Sequence, residues 1–132
     1  MKEGLNVYSS FDGLSGGQLA LRTIGIPVKS YRASEIDKYA MKIAKKNFPD
    51  ITHVGDVTEL DATNLDIDLL IGGSPCQGFS FAGKQLKFDD PRSKLFFEFV
   101  RIKEETKPRW FLLENVKMKQ DAQDIITKYM GV

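Results

Sequence analysis

The sequence predicts one α/β domain built on a doubly wound, mostly parallel β-sheet. Short apolar runs alternate along the chain with segments of helical periodicity, which is the pattern of such a sheet. Polar or glycine-rich turns follow most of the apolar runs. The size and composition agree: 132 residues, 42% hydrophobic and 28% charged, with no repeat or Pro/Ser-rich linker.

The first half of the chain contains three predicted strands and two predicted helices. Gly25 and Pro27 are typical of the end of a helix, and lysines occupy the other faces of the second helix. In order, we predict a strand over residues 7–11, a helix over 18–24, a strand over 28–34, a helix with Ile36, Ala40, Ile43, Ala44 and Asn47 at helical spacing, and a short strand over 52–54.

The second half contains two further strands and two further helices. Pro108 stops the first of these helices, and Gly131 is placed as the C-cap of the last. In order, we predict a strand over residues 68–71, a long loop to Ser93, a helix outlined by Leu95, Phe96, Phe99, Ile102 and Lys103, a strand over 110–113 and a helix over 121–130.

Composition and charge exclude several classes of protein. A formal net charge of +1 excludes a protein that holds nucleic acid by bulk electrostatics alone. The single cysteine, Cys76, excludes an intramolecular disulfide and a multi-cysteine zinc site, and we expect no metal. No apolar run approaches the roughly 20 residues that span a bilayer, and the N-terminus resembles no signal peptide. We therefore expect a cytoplasmic protein without a membrane partner.

Three polar groups follow successive predicted strands. The glycine-rich turn over residues 12–17 allows a ligand to approach the backbone closely, although it lacks the dinucleotide fingerprint. Glu35 lies about 20 residues further on, where an acid accepts hydrogen bonds from ribose hydroxyls; an acid at a helix N-terminus is an equal alternative. Asp56 is a third group at this edge, or a turn or N-cap residue. Together they favour an adenosine-bearing ligand.

A phosphate-binding loop is not supported. Gly78, Gly83 and Lys84 have P-loop spacing, but Gln85 stands where serine or threonine must contact magnesium. Without that loop or a pyrophosphate fingerprint, the sequence predicts an adenosine ligand that lacks a phosphate chain.

Cys76 and Glu114 are candidate catalytic residues. Cys76 follows Pro75 on a turn after a predicted strand, where loop amides lower a thiol pKa; the alternative is a small buried apolar residue. Glu114 ends a buried strand and is a candidate proton donor, or else a helix-capping or structural carboxylate. A thiolate and an acid at adjacent strand ends suggest covalent attack on an electron-poor ring.

Six segments resemble the motifs of one enzyme family. Gly-Gly-Ser-Pro-Cys-Gln-Gly-Phe-Ser at 72–80 and Glu-Asn-Val at 114–116 resemble the hallmark motifs of DNA cytosine-5 methyltransferases. Four further segments, at residues 11–17, 34–37, 55–57 and 90–96, resemble other motifs of this family and occur in the family's order. The resemblance implies the Rossmann-like fold of methyltransferases that use S-adenosylmethionine.

The resemblance also implies residue roles. Cys76 would attack C6 of a cytosine flipped out of double-stranded DNA, and Glu114 would protonate or hydrogen-bond N3. C5 would then take the methyl group of S-adenosylmethionine, leaving S-adenosylhomocysteine. Phe11 would pack near the adenosyl group, Glu35 bind the ribose and Asp56 the adenine amino group. The remaining cofactor contacts would be Asp12, Gly13, Gly16, Gly17, Ile36, Val57, Ser74, Pro75 and Leu95. A zinc deaminase is excluded, because no Pro-Cys-x-x-Cys occurs.

The family pattern continues beyond residue 116 with segments that this sequence lacks. Family members add a Gln-x-Arg-x-Arg segment, a target recognition domain and motifs that complete the cofactor pocket. We therefore expect residues 1–132 to form a partial catalytic domain whose sheet is incomplete on its C-terminal side, with an exposed apolar edge at residues 110–113. Alone it should transfer little or no methyl and bind S-adenosylmethionine weakly. A truncated chain, a split enzyme completed by a second polypeptide, self-association, or a non-catalytic cofactor-binding or interaction module remain open.

Overall fold

A computed structural model describes residues 4–73, 91–114 and 120–131. Its elements, in chain order, are β1 (Leu5–Ser10), α1 (Gly16–Thr23), β2 (Val28–Ala33), α2 (Lys38–Asn47), β3 (Thr52–His53), a 3₁₀ helix (Val57–Glu59), β4 (Leu69–Gly72), α3 (Pro91–Thr106), β5 (Trp110–Leu113) and α4 (Gln120–Met130).

The five strands form one parallel sheet in the order β3-β2-β1-β4-β5. The chain builds outward from β1 through β2 to β3, and then returns to the other side of β1 to place β4 and β5. The strand order therefore reverses between β1 and β4, and in open α/β sheets ligands bind beyond the carboxyl ends of the strands at such a point. The predicted parallel α/β fold is confirmed.

Hydrophobic clusters cover both faces of the sheet, as expected for a doubly wound fold. Neighbouring residues of β1 point to opposite faces, so Val7 lies in one cluster and Tyr8 in the other, both with 0% exposure. The Val7 cluster contains Leu21, Tyr31, Ala33, Ala44, Phe48, Ile51 and Ile71. The Tyr8 cluster contains Val57, Ala62, Ile67, Leu70, Phe96, Phe99, Ile102 and Met130.

Some element boundaries differ from the predictions. The strand predicted over 7–11 begins at Leu5 and ends before Phe11, because the φ of Phe11 is +56° and takes the chain out of extended geometry. The 3₁₀ helix was not predicted. In α2 only Ala44 is buried, while Ile43 is 45% exposed. The apolar periodicity therefore predicted the helix correctly, although most of its apolar residues are not deeply buried.

The predicted end of the last helix is confirmed. Gly131 has a φ of +76°, and its backbone N–H donates to the carbonyl groups of Thr127 and Lys128. A residue in this left-handed conformation ends a helix at little cost when it is glycine. β5 also has the predicted bounds.

Candidate functional site at the carboxyl edge of the sheet

The turn between β1 and α1 is held in an unusual backbone conformation. Phe11, Gly13 and Ser15 all have positive φ, at +56°, +59° and +69°. The N–H of Asp12 donates to the carbonyl of Ser34 (3.0 Å), and the N–H of Ser15 donates to the carbonyl of Asp12 (3.0 Å). Non-glycine residues with positive φ are uncommon, so these bonds fix a turn that ordinary chain preference would not form. The turn lies at the reversal of strand order.

Glu35 joins this turn to the end of β2. Its Oε1 accepts a hydrogen bond from the N–H of Gly13 (2.7 Å), and its Oε2 accepts from the N–H groups of Ile36 (3.1 Å) and Asp37 (3.0 Å). The N-cap of α2 is Asp37, whose carboxylate accepts from Tyr39 and Ala40, so Glu35 is not the helix cap. A carboxylate offers about four acceptor positions, so the half-buried Glu35 retains capacity for a ligand hydroxyl.

Asp12 is bound on one oxygen only. The hydroxyl of Tyr31 donates to Oδ1 of Asp12 (2.8 Å), whereas Oδ2 is buried without a hydrogen-bond partner among the described residues. Burial, and after it the charge of Asp12, raises the pKa of Tyr31, so its hydroxyl remains a donor at neutral pH. Buried acceptors without partners are rare in folded proteins. This oxygen lies next to the turn and is an acceptor that no described residue uses.

Asp56 is the N-cap of the 3₁₀ helix. Its Oδ1 accepts from the N–H (2.9 Å) and the hydroxyl (2.8 Å) of Thr58. The capping role considered from the sequence is therefore present, and the second carboxylate oxygen is not used in it. Val57 is 4% exposed and packs in the core, so a contact from it to a ligand would come from its backbone.

The other predicted residues of the turn have different surroundings. A Cβ on Gly16 would meet no atom within 4 Å, whereas one on Gly17 would collide with Cδ1 of Ile71 and lie 3.2 Å from the Tyr31 hydroxyl. Gly17 is thus required for close packing of α1 on the sheet. Ile36 is 73% exposed beside Glu35, and it gives this edge an apolar surface.

Glu114 lies beside the end of β4. Its N–H donates to the carbonyl of Gly72 (2.8 Å), and a Cβ on Gly73 would lie 2.8 Å from its Oε2. The exposed carboxylate of Glu114 therefore stands against the chain as it leaves β4. Ser74, Pro75 and Cys76, the next residues along, lie outside the described residues. Leu95 belongs to α3 by its backbone, and its side chain also lies outside them.

Two residues that contact this edge were missed from the sequence. Tyr31 holds Asp12, and Arg101 donates to the carbonyl groups of Val57 and Leu60 at the 3₁₀ helix. No spacing rule could have found either, since the partners are 19 to 44 residues apart. Glu98 and Glu105 lie three residues before and four residues after Arg101, and this spacing indicates only ion pairs within a helix.

Within the parts of the chain that the structure describes, no three His, Cys, Asp or Glu side chains are grouped as metal ligands would be. Over the same residues, no helix combines the length and apolar character needed to cross a membrane.

Comparison with known proteins identifies relatives across most of the chain. Residues 5–128 match the family described as C-5 cytosine-specific DNA methylase. The chain is 52% identical to the type II methyltransferase M1.ScrFI of Lactococcus lactis subsp. cremoris, over 81% of this chain and 27% of that protein. It is 45% identical to the orphan methyltransferase M.SPRI of Bacillus phage SPR, over 86% of this chain and 26% of that one.

The fold has a solved counterpart. The crystal structure of the S. pombe Dnmt2 methyltransferase superposes with a TM-score of 0.75 at 26% identity, covering 96% of this chain and 41% of the other. The chain thus spans about a quarter of the length of the two curated relatives and less than half of the solved structure.

Proposed function

Since the chain belongs to the C-5 cytosine-specific DNA methylase family, we propose that it forms the cofactor-binding and catalytic part of an enzyme that methylates C5 of cytosine in DNA. One observation carries the proposal: the glycine turn, Glu35 and Glu114 lie at the carboxyl edge of one parallel sheet, around the reversal of strand order. That edge is where this class of fold binds its ligands.

The described residues fit S-adenosylmethionine, which when bound supplies a methyl group on a positively charged sulfur. Glu35 would accept hydrogen bonds from the ribose hydroxyls with its remaining acceptor capacity. Asp56 would accept from the adenine amino group with the oxygen that does not cap the 3₁₀ helix. Phe11 and Ile36 would pack on the adenosyl group. The further contacts would be Asp12, Gly13, Gly16, Gly17 and the Val57 backbone. Ser74, Pro75 and Leu95 would complete them, as the family resemblance implies.

Cys76 and Glu114 would carry the chemistry. The Cys76 thiolate forms a bond to C6 of the cytosine, and this attack places negative charge on the ring. The carboxyl group of Glu114 donates a hydrogen bond or a proton to N3 and so stabilises that charge. The electron pair released to C5 takes the methyl group, with S-adenosylhomocysteine as the leaving group. A water molecule then takes the C5 proton, and the electrons of the C5–H bond expel the Cys76 thiolate and restore the ring. Glu114 lies exposed beside Gly73, so its carboxyl group is accessible to a cytosine base.

The macromolecular partner would be double-stranded DNA with the target cytosine flipped out, since C6 cannot be reached in a stacked base. The near-neutral charge of the chain supports further contacts to DNA from outside these residues, either in a second polypeptide or in more of the same one. A non-catalytic cofactor-binding or interaction module is the second candidate, favoured by the apolar edge of β5, where Leu112 is 63% exposed.

A labelled-methyl assay combined with cofactor binding tests the proposal. The protein, completed by a second polypeptide that carries the segments expected beyond residue 116, is given DNA and S-adenosylmethionine carrying a labelled methyl group, and Cys76→Ser is compared with the wild type. We expect the variant to keep its affinity for S-adenosylhomocysteine and to lose transfer by roughly 10³-fold or more, as for the loss of a nucleophile. Undiminished transfer by Cys76→Ser would refute the nucleophile. Cofactor binding by a wild type that transfers nothing even with the second polypeptide present would favour the non-catalytic module.

A further inference from the structure

Arg101 connects α3 to the 3₁₀ helix through backbone carbonyls. Its Nη2 donates to the carbonyl of Val57 (2.8 Å) and its Nη1 to the carbonyl of Leu60 (3.0 Å). These carbonyls belong to the first residue of the 3₁₀ helix and to its C-cap. The side chain thus holds both ends of the short segment that begins at Asp56.

The guanidinium is itself fixed by two acids on its own helix. Nε donates to Oε2 of Glu98 (2.7 Å), and Nη1 also donates to Oε1 of Glu105 (3.1 Å). Burial works to lower the pKa of Arg101, but the hydrogen bonds and charges of Glu98 and Glu105 outweigh it and raise the pKa. The rigid fork of an arginine matches two carbonyls at once, which the single ammonium group of a lysine cannot do.

The segment depends on this anchor because its backbone makes few other hydrogen bonds, although Val57 packs in the core. A 3₁₀ helix of three residues has poor hydrogen-bond geometry, and its internal bonds here are Glu59 N–H to Asp56 carbonyl (3.1 Å) and Leu60 N–H to Val57 carbonyl (3.3 Å). The Asp56 cap orders the first turn on one side. Arg101 supplies the restraint on the other side, from a helix of 16 residues.

We propose that Arg101 is a positioning residue for cofactor recognition: by holding the carbonyl groups of Val57 and Leu60, it fixes the 3₁₀ helix so that the uncapped oxygen of Asp56 faces the adenine amino group. The inference rests on the proposed function, which gives Asp56 that role. Arg101 acts through the backbone of the segment, at the carbonyl groups of Val57 and Leu60, and has no contact with the ligand in this proposal.

The test compares two ligands that differ at the adenine amino group. One is S-adenosylhomocysteine; the other is its inosine analogue, in which an oxo group replaces the amino group. Dissociation constants are measured by ligand-observed NMR, which detects weak binding, for the wild type and three variants. Arg101→Lys keeps the charge, Arg101→Gln removes it, and Glu105→Gln is the matched control, because it removes an ion-pair partner and leaves both carbonyl bonds.

We expect the wild type and Glu105→Gln to prefer the adenine ligand by roughly tenfold or more, as for a hydrogen bond to a charged group. Arg101→Lys and Arg101→Gln should lose most of that preference, while affinity for the inosine ligand changes less than about threefold. Amide exchange at Glu59 and Leu60 in the ligand-free protein should accelerate in these two variants about tenfold, as the helix opens locally.

The other outcomes decide against the inference. If both Arg101 variants lose affinity for the two ligands equally, or keep the wild-type preference, the positioning role is refuted and the proposed function stands. If the wild type binds the two ligands equally, the adenine contact of Asp56 fails and the inference fails with it. If the wild type binds neither ligand, the proposed function itself fails.

Discussion

The Oε1 atom of Glu35 accepts a 2.7 Å hydrogen bond from the backbone N–H of Gly13, and this bond joins the end of β2 to the turn after β1. The same carboxylate accepts two more N–H groups, from Ile36 and Asp37. Glu35 therefore shapes the glycine turn in addition to the ligand role proposed for it.

Glu35→Ala tests this double role. The change leaves three backbone N–H groups without their acceptor, so we expect the free energy of unfolding to fall by about 1–3 kcal/mol and affinity for S-adenosylhomocysteine to fall as well. Urea unfolding and calorimetry measure the two effects. Glu59→Ala, at an exposed acid of the 3₁₀ helix, is the control and should change stability little. If Glu35→Ala had the same free energy of unfolding as Glu59→Ala, the bond to Gly13 would be dispensable for stability.

Gly72→Ala should destabilise the fold. Its Cβ would lie 2.9 Å from two ring carbons of Phe99 and 3.3 Å from the carbonyl oxygen of Ser10. Phe99 is 0% exposed in the core, so its ring has little room to move, and overpacking of this kind costs about 1–3 kcal/mol. The unfolding midpoint in urea reports the cost. Gly16→Ala, whose Cβ meets nothing within 4 Å, is the control and should be neutral or slightly stabilising.

Gly73→Ala should affect chemistry more than stability. The new Cβ would lie 2.8 Å from Oε2 of Glu114, and because that side chain is exposed, its carboxylate can move away. We expect the free energy of unfolding to stay within about 0.5 kcal/mol of the wild type. Methyl transfer, measured with the second polypeptide present, should fall by about tenfold or more, because displacing a reacting group by about 1 Å is costly. Full transfer with normal stability would remove Glu114 from the proposed chemistry.

Local features of the sequence predicted most of the fold. β5 was predicted with its true bounds because its four apolar residues form a run, and neither Pro108 before it nor Glu114 after it continues the apolar pattern. The periodicity over α2 and the left-handed Gly131 are equally local. At the candidate site, the sequence indicated Glu35 and Asp56 because each follows a strand. It left open whether Glu35 only interacts with a helix N-terminus and whether Asp56 is only a turn or N-cap residue. Only coordinates show that Asp37, not Glu35, caps α2, whereas Asp56 does cap the 3₁₀ helix.

Long-range contacts could not be predicted in this way. Arg101 donates to carbonyl groups 41 and 44 residues earlier in the chain. Because every residue has a backbone carbonyl, the residue types do not show which one accepts the bond. The boundary of β1 was missed for a related reason. Phe11 looks like a strand residue, but the bonds around Asp12 hold it at positive φ. The roles of Cys76, Ser74 and Pro75 stay predictions.

Stability should fall at high pH because of Tyr31. Burial and the charge of Asp12 raise the pKa of Tyr31 above 10, its ordinary value, so its protonated form favours the folded state. The contribution is complete below about pH 10, where the phenol is protonated in both states, and is lost as the pH rises. At pH 11 we expect a loss of about 1 kcal/mol from this residue.

The control separates Tyr31 from other groups that titrate at high pH. Tyr31→Phe should be less stable at pH 8, because it loses the bond to Asp12, but should lose less stability between pH 8 and pH 11 than the wild type. Tyr39→Phe, at a residue 82% exposed, should keep the wild-type dependence. Parallel curves for all three proteins in urea unfolding would contradict the assignment.

The apolar edge at β5 should drive association of the chain. Trp110 and Leu112 point to the same face of the sheet and are 48% and 63% exposed, whereas Phe111 and Leu113 pack on the core. No strand pairs with the outer side of β5 among the described residues. An apolar edge with unpaired backbone groups favours pairing with another chain, and an edge lysine opposes it. Leu112→Lys should therefore shift the chain toward monomer in sedimentation velocity without lowering its unfolding midpoint. Tyr39→Lys places the same charge on α2 and should not shift the distribution; an equal shift in both variants would mean that net charge, not this edge, controls association.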